Sequence, residues 1–114
     1  VQSVNAARDI NGVSVVSVKF ENLGMDELRN VADSIINEAK GPCVVLLASV
    51  SDDRVNLVCR LTKDIVGRYK AGALIKEVAK IVDGSGGGRD DMAQAGGKDP
   101  AKVDEALQKI YELI

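Results

Sequence analysis

The stretch VSVVSVKF at residues 13 to 20 is rich in β-branched valine with polar residues interspersed, which predicts a strand. Asn11-Gly12 just before it is the favoured pair for a two-residue type I′ turn, so residues 3 to 9 and 13 to 20 are expected to form a hairpin. From Met25 to Ala39 the apolar positions Leu28, Val31, Ala32, Ile35, Ile36 and Ala39 follow one helical face, and Lys40-Gly41-Pro42 stops the helix. CVVLLASV is continuously apolar, as a strand covered on both faces should be. In the next segment Val55, Leu57, Cys59 and Leu61 alternate with Arg54, Asn56 and Arg60, which predicts a strand with one face largely wet.

A helical region is expected from Thr62 to Val82, broken near Ala71-Gly72, with Leu74, Ile75, Val78, Ala79 and Val82 turned inward. Asp99-Pro100 suits the start of a last helix, whose apolar positions are Val103, Ala106, Leu107, Ile110 and Ile114. Strand, helix and buried strand over residues 13 to 50 make a βαβ unit, expected to be right-handed. The order predicts an α/β domain: a mixed sheet of about four strands, hairpin plus βαβ, covered by three to four helices. A glycine-rich loop then joins two helices ahead of the last one.

Composition narrows the function. At 114 residues the chain is one domain, and its apolar fraction of 46% and mean hydropathy of +0.01 are those of a soluble globular protein. No apolar run approaches the roughly 20 residues of a membrane span, and no secretory signal is visible, so a cytoplasmic protein is expected. Val1 rather than Met at the start suggests a piece of something longer. The absence of histidine excludes His-based metal sites, His general bases and Ser-His or Cys-His nucleophile pairs. Cys43 and Cys59, both inside apolar strands, read as small core residues. The net charge of −2 hides an asymmetry: Arg54, Arg60, Lys63, Arg68, Lys70, Lys76 and Lys80 face only Asp64 and Glu77 between residues 54 and 80. Such a basic segment fits either a phosphate-binding surface or simply the solvated outer positions of a strand and a helix.

The remaining chemistry lies in GSGGGRDDMAQAGG, residues 84 to 97, which holds six of the eleven glycines. Glycines adopt positive φ readily, so their amides are expected to converge into an anion-binding nest, with Arg89 adding a guanidinium. The bland alternative is a flexible linker, against which stand Met92, Ala93 and Ala95, apolar residues that suit an ordered, packed segment. The charges from Gly84 to Asp99 do not favour bulk electrostatic capture, since Arg89 and Lys98 meet Asp90, Asp91 and Asp99. No GxxxxGK[ST] is present, and a GxG following a helix is the wrong context for a dinucleotide site.

DGSGGGRDDMAQAGGKDP with the following AKVDEALQKI resembles the glycine-rich signature near the C-terminus of alanyl-tRNA synthetases. RLTKDIVGRYKAGALIKEVAKIV is similar to the segment preceding that signature, and GPCVVLLASVSDDRVNLV falls in the family's order, so the resemblance covers nearly the whole chain. One departure is Asp90, where the family's pattern has proline. The resemblance implies that residues 1 to 114 are the single C-terminal domain of a longer synthetase. It further implies a non-catalytic module for the outer corner of tRNA(Ala), which helps the catalytic and editing domains of the same chain share that tRNA. No cofactor is expected here, while the parent enzyme would use ATP, Mg and zinc. A homodimer is possible on the same grounds, and a self-association module is the rival reading. The third reading is the substrate-holding domain of a DHH-type phosphoesterase, in which a histidine often stands where Arg89 is found. The expected loop surface comprises Gly86, Gly87, Gly88, Arg89, Gln94, Gly96 and Gly97, with Lys63, Arg68 and Lys70 touching phosphates. Gln94 serves either a ligand or the loop's own backbone, Arg89 either a ligand or Asp90 and Asp91, and Met92 anchors the core.

Overall fold

The computed structural model describes residues 7 to 114. Six strands form one sheet: β1 (Ala7–Ile10), β2 (Val13–Glu21), β3 (Cys43–Ser51), β4 (Arg54–Leu61), β5 (Ser85–Gly88) and β6 (Met92–Gly97), in the order β1-β2-β3-β4-β6-β5. The helices are α1 (Met25–Glu38), α2 (Ala71–Ile81) and α3 (Val103–Leu113). β2 and β3 are parallel across α1, while every other pair is antiparallel, so the sheet is mixed as expected.

Asn11 and Gly12 carry φ of 52° and 82°, the left-handed pair that a two-residue hairpin turn needs. The first hairpin strand begins at Ala7; the part expected before it lies outside the described residues. Gly24 caps the start of α1, its N–H donating to Glu27 Oε1 at 3.0 Å, and the helix buries Leu28 and Ala32. Two apolar layers sandwich the sheet. Val44, Leu46, Ala48, Leu57 and Cys59 face α2 and α3, while Cys43, Val45, Leu47 and Val58 face α1. β4 is therefore not wet on one face. α1 crosses both β3 and β4, buries Val58 and holds Arg60 through an ion pair with Asp33.

The segment from Thr62 to Lys70 is not helix. After β4 a short 3-10 turn (Lys63–Ile65) leads into turns, and α2 begins only at Ala71, where the sequence suggested a break. Ile65 alone is buried before Lys70, so no apolar stripe holds a longer helix there. Asp99 likewise caps nothing with its side chain. A 3-10 turn (Pro100–Lys102) precedes α3, and the amides of Lys98 and Asp99 both donate to the carbonyl of Val82, at 2.8 and 3.0 Å.

The glycine-rich segment is the larger correction. It is not a loop between helices but the hairpin β5–β6, and β6 inserts beside β4 with an unbroken register from Arg60↔Met92 to Val55↔Gly97. This accounts for two strands beyond the four expected. Glycine is depleted in strands and leaves no side-chain alternation to recognise.

Candidate nucleic-acid interface

None of the glycines from 84 to 97 has a positive φ, so no nest forms. Space, not conformation, explains most of them. A Cβ on Gly84 would lie 1.9 Å from the carbonyl oxygen of Gly96, and one on Gly86 would lie 2.4 Å from Cα and Cβ of Ala95. On Gly88 it would meet the Met92 carbonyl at 2.6 Å, and on Gly97 it would meet Val82 Cγ2 at 2.5 Å. β5 thus lies almost in contact with the backbone of β6, and α2 closes on the pair: a Cβ on Gly72 would stand 3.0 Å from the carbonyl of Gly88.

The hairpin tip docks on the start of α2. The amides of Ala71 and Gly72, first-turn donors with no partner inside the helix, donate to the carbonyls of Asp90 at 2.8 Å and Arg89 at 3.2 Å. Leu61 N–H donates to Asp91 O at 2.9 Å, which ties the tip to the end of β4 as well. Asp90, the departure from the family's pattern, also receives Lys70 Nζ at 3.4 Å.

This docking brings one of the expected cations, Lys70, to the hairpin tip. Lys70 lies against the tip, Arg68 stands exposed over the Tyr69 ring at 5.4 Å, and Lys63 is exposed just beyond β4. Arg89 projects with its side chain 78% exposed and Asp91 at 3.9 Å, too long a contact to hold it. Gly87 lies beside α2: a Cβ on it would sit 3.5 Å from Lys76 Cε, so the lysine stem runs along the glycine strand. Lys76 was not among the residues singled out. The inward stripe of Leu74, Ile75, Val78 and Ala79 already forces it outward, and that was the signal available.

Gln94 and Gly96 are not brought to that group. Alternation along β6 puts them on the α1 face, where Gln94 Oε1 accepts from Arg29 Nη1 at 3.4 Å. Met92 is half-buried, short of a core anchor. Cys43 and Cys59 are buried free thiols; burial pushes Cys59 up to about 12, and burial with Asp64 nearby raises Cys43. Among the described residues no three of Cys, Asp and Glu gather as a metal site needs. The surface offers cations and exposed main chain, which suits holding a polyanion.

The DHHA1 domain family matches residues 12–114. An alanine–tRNA ligase of Bacillus cytotoxicus is 46% identical over 111 residues, covering 96% of this chain and 12% of the relative. One from Carboxydothermus hydrogenoformans is 48% identical over 111 residues, covering 97% and 13%. The chain therefore spans only 12–13% of the length of these relatives. The crystal structure of the C-Ala domain from Aquifex aeolicus alanyl-tRNA synthetase superposes with a TM-score of 0.89 at 36% identity, covering 96% of this chain and 97% of that one.

Proposed function

The chain belongs to the DHHA1 domain family, with the C-Ala domain of alanyl-tRNA synthetase as its structural counterpart, and we propose that it is a non-catalytic tRNA-binding module. In this reading it grips the outer corner of tRNA(Ala) and helps the catalytic and editing domains of one synthetase chain share that tRNA. The observation that carries the proposal is the common surface of the glycine hairpin and the basic helix. Arg89 at the tip, Lys70 against it and Lys76 beside Gly87 set cations along a strand whose only side chain is Ser85. An RNA backbone can approach such a strand closely, and its phosphates find Arg68, Lys63 and the α2 lysines around it. With so few aromatics in the chain, the grip depends on shape and phosphate contacts rather than on an aromatic platform.

Phosphate contacts make binding salt-dependent, with log K falling by roughly 0.7 to 0.9 per contact for each tenfold rise in salt. The triple variant Lys63→Ala, Arg68→Ala, Lys70→Ala is expected to bind a tRNA(Ala) transcript more weakly and with a flatter slope. Unchanged affinity and slope would remove this patch from the proposal.

Self-association is a second reading with one observation in its favour. Val16, Val18 and Phe20 of β2, with Ile35 and Ile36 of α1, form a stripe that is only partly buried. Sedimentation velocity at micromolar concentration separates the readings: a monomer that still binds tRNA argues against the dimer.

A further inference from the structure

At the end of the hairpin away from Arg89, a cleft of about 680 Å³ opens between the β3–β4 turn, the start of β5 and the end of β6. Gly96 lies in it and is a glycine the fold does not need. Inside a strand, glycine marks a bulge, a bend, or a place where another backbone or a ligand comes close. The β4–β6 register runs unbroken past Gly96, its φ is not positive, and a Cβ there would meet nothing nearer than the Val55 carbonyl at 3.8 Å. A side chain at Gly96 would have open space, so its absence leaves the strand bare where a ligand can approach.

The neighbours indicate which ligand. Gly96 pairs with Asn56 on one side and Ser85 on the other, and both line the cleft. Two strand spacings separate them, about 10 Å, with bare backbone between. A planar ring fits that slot, and the amide and hydroxyl at its sides offer donors and acceptors to ring edges. Arg54 and Lys98 also line the cleft, and neither is in an ion pair among the described residues. Asp53 and Asp83 balance them. The balanced charge suits a single phosphate and sugar hydroxyls rather than a polyphosphate.

We propose that this cleft seats one unstacked nucleotide of the bound RNA, with its base on the main chain at Gly96 and its phosphate between Arg54 and Lys98. The proposal rests on the RNA-binding reading and extends it to the opposite end of the hairpin.

The test is an amide NMR titration of the chain with 5′-AMP, joined to tRNA(Ala) transcript binding by Gly96→Val, whose side chain fills the slot. AMP is expected to shift Asn56, Ser85, Gly96 and Gly97 while leaving Lys70 and Arg89 in place. Gly96→Val is expected to lose those shifts and to bind tRNA about fivefold or more weakly, the scale of one stacked base. A thermal melt checks that the variant is folded; should it not be, Arg54→Ala with Lys98→Ala, both at the surface, is expected to give the same losses. AMP shifts that are absent or fall elsewhere overturn the proposal, as does unchanged tRNA affinity in the folded variant. If wild-type tRNA binding and its salt slope persist in that case, only the nucleotide seat has failed and the grip at the basic helix stands.

Discussion

Replacing Gly86 by alanine tests whether the glycines are there for space. The added methyl would lie 2.4 Å from Ala95 Cα, Ala95 Cβ and the Gln94 carbonyl oxygen, two of them main-chain atoms that no rotamer change can move. Overpacking costs about 1–3 kcal/mol, and rigid neighbours put this site near the top of that range. Glycine to alanine also stiffens the unfolded chain and returns about 0.4–1 kcal/mol, which leaves a net loss of about 2 kcal/mol. For a domain of this size that lowers Tm by about 8 °C. Gly96→Ala is the control: its nearest neighbour is 3.8 Å away, so the unfolded-state term stands alone and Tm rises by a few degrees, about 0.4–1 kcal/mol. Thermal melts give the Tm shifts and urea denaturation gives the free energies, both followed by circular dichroism. A Gly86→Ala protein as stable as wild type, or a Gly96→Ala protein that loses stability, refutes the close-packed hairpin.

Other consequences are as direct. Ser17 Oγ donates to the carbonyl of Leu107 at 2.9 Å in the buried contact between β2 and α3, so Ser17→Ala is expected to cost about 1 kcal/mol in urea titration. Asp90→Ala removes only an exposed partner of Lys70 and is expected to cost less than about 1 kcal/mol, with the Ala71 amide still protected from hydrogen exchange because the Asp90 carbonyl remains. Burial lifts the Cys59 thiol from 9.0 to about 12. The folded chain keeps that proton where the unfolded chain releases it, so this contribution is level below pH 9 and falls toward pH 12. The alkaline decline is expected to be smaller in Cys59→Ala, and iodoacetamide at pH 8 should label Cys59 only after unfolding.

The sheet centre was legible because burial and side-chain period coincide there. Continuous apolarity at Cys43 to Ala48 means cover on both faces, and Asn11-Gly12 has one good use. β4 misled because Arg60 looks solvent-facing, yet α1 spans far enough to bury Val58 beside it and supplies Asp33 to Arg60. Position of a helix over a sheet is a tertiary fact with no local signal. The segment after Leu61 misled because charged and small residues suit helices in general, while holding a helix in place takes an apolar stripe that Ile65 alone does not provide. The hairpin was hidden most deeply. Its strands are specified by missing side chains, and the distances that forbid a Cβ at Gly84, Gly86 and Gly88 exist only once β6 is beside them. For the site, the cations were readable from charge clustering, whereas the separation of Gln94 and Gly96 from them follows from strand alternation in a strand not foreseen.

The central claim is that folded RNA sits where the hairpin tip meets α2. Amide NMR of the isotopically labelled chain with a tRNA(Ala) transcript at low salt tests it directly. The account predicts signal loss at residues 68 to 76 and 85 to 90, joined by residues 54 to 56 and 96 to 98 where the nucleotide seat is filled, and reversed by added salt. Perturbation confined to β1, β2 and the outer face of α1, or no binding at all, would contradict it.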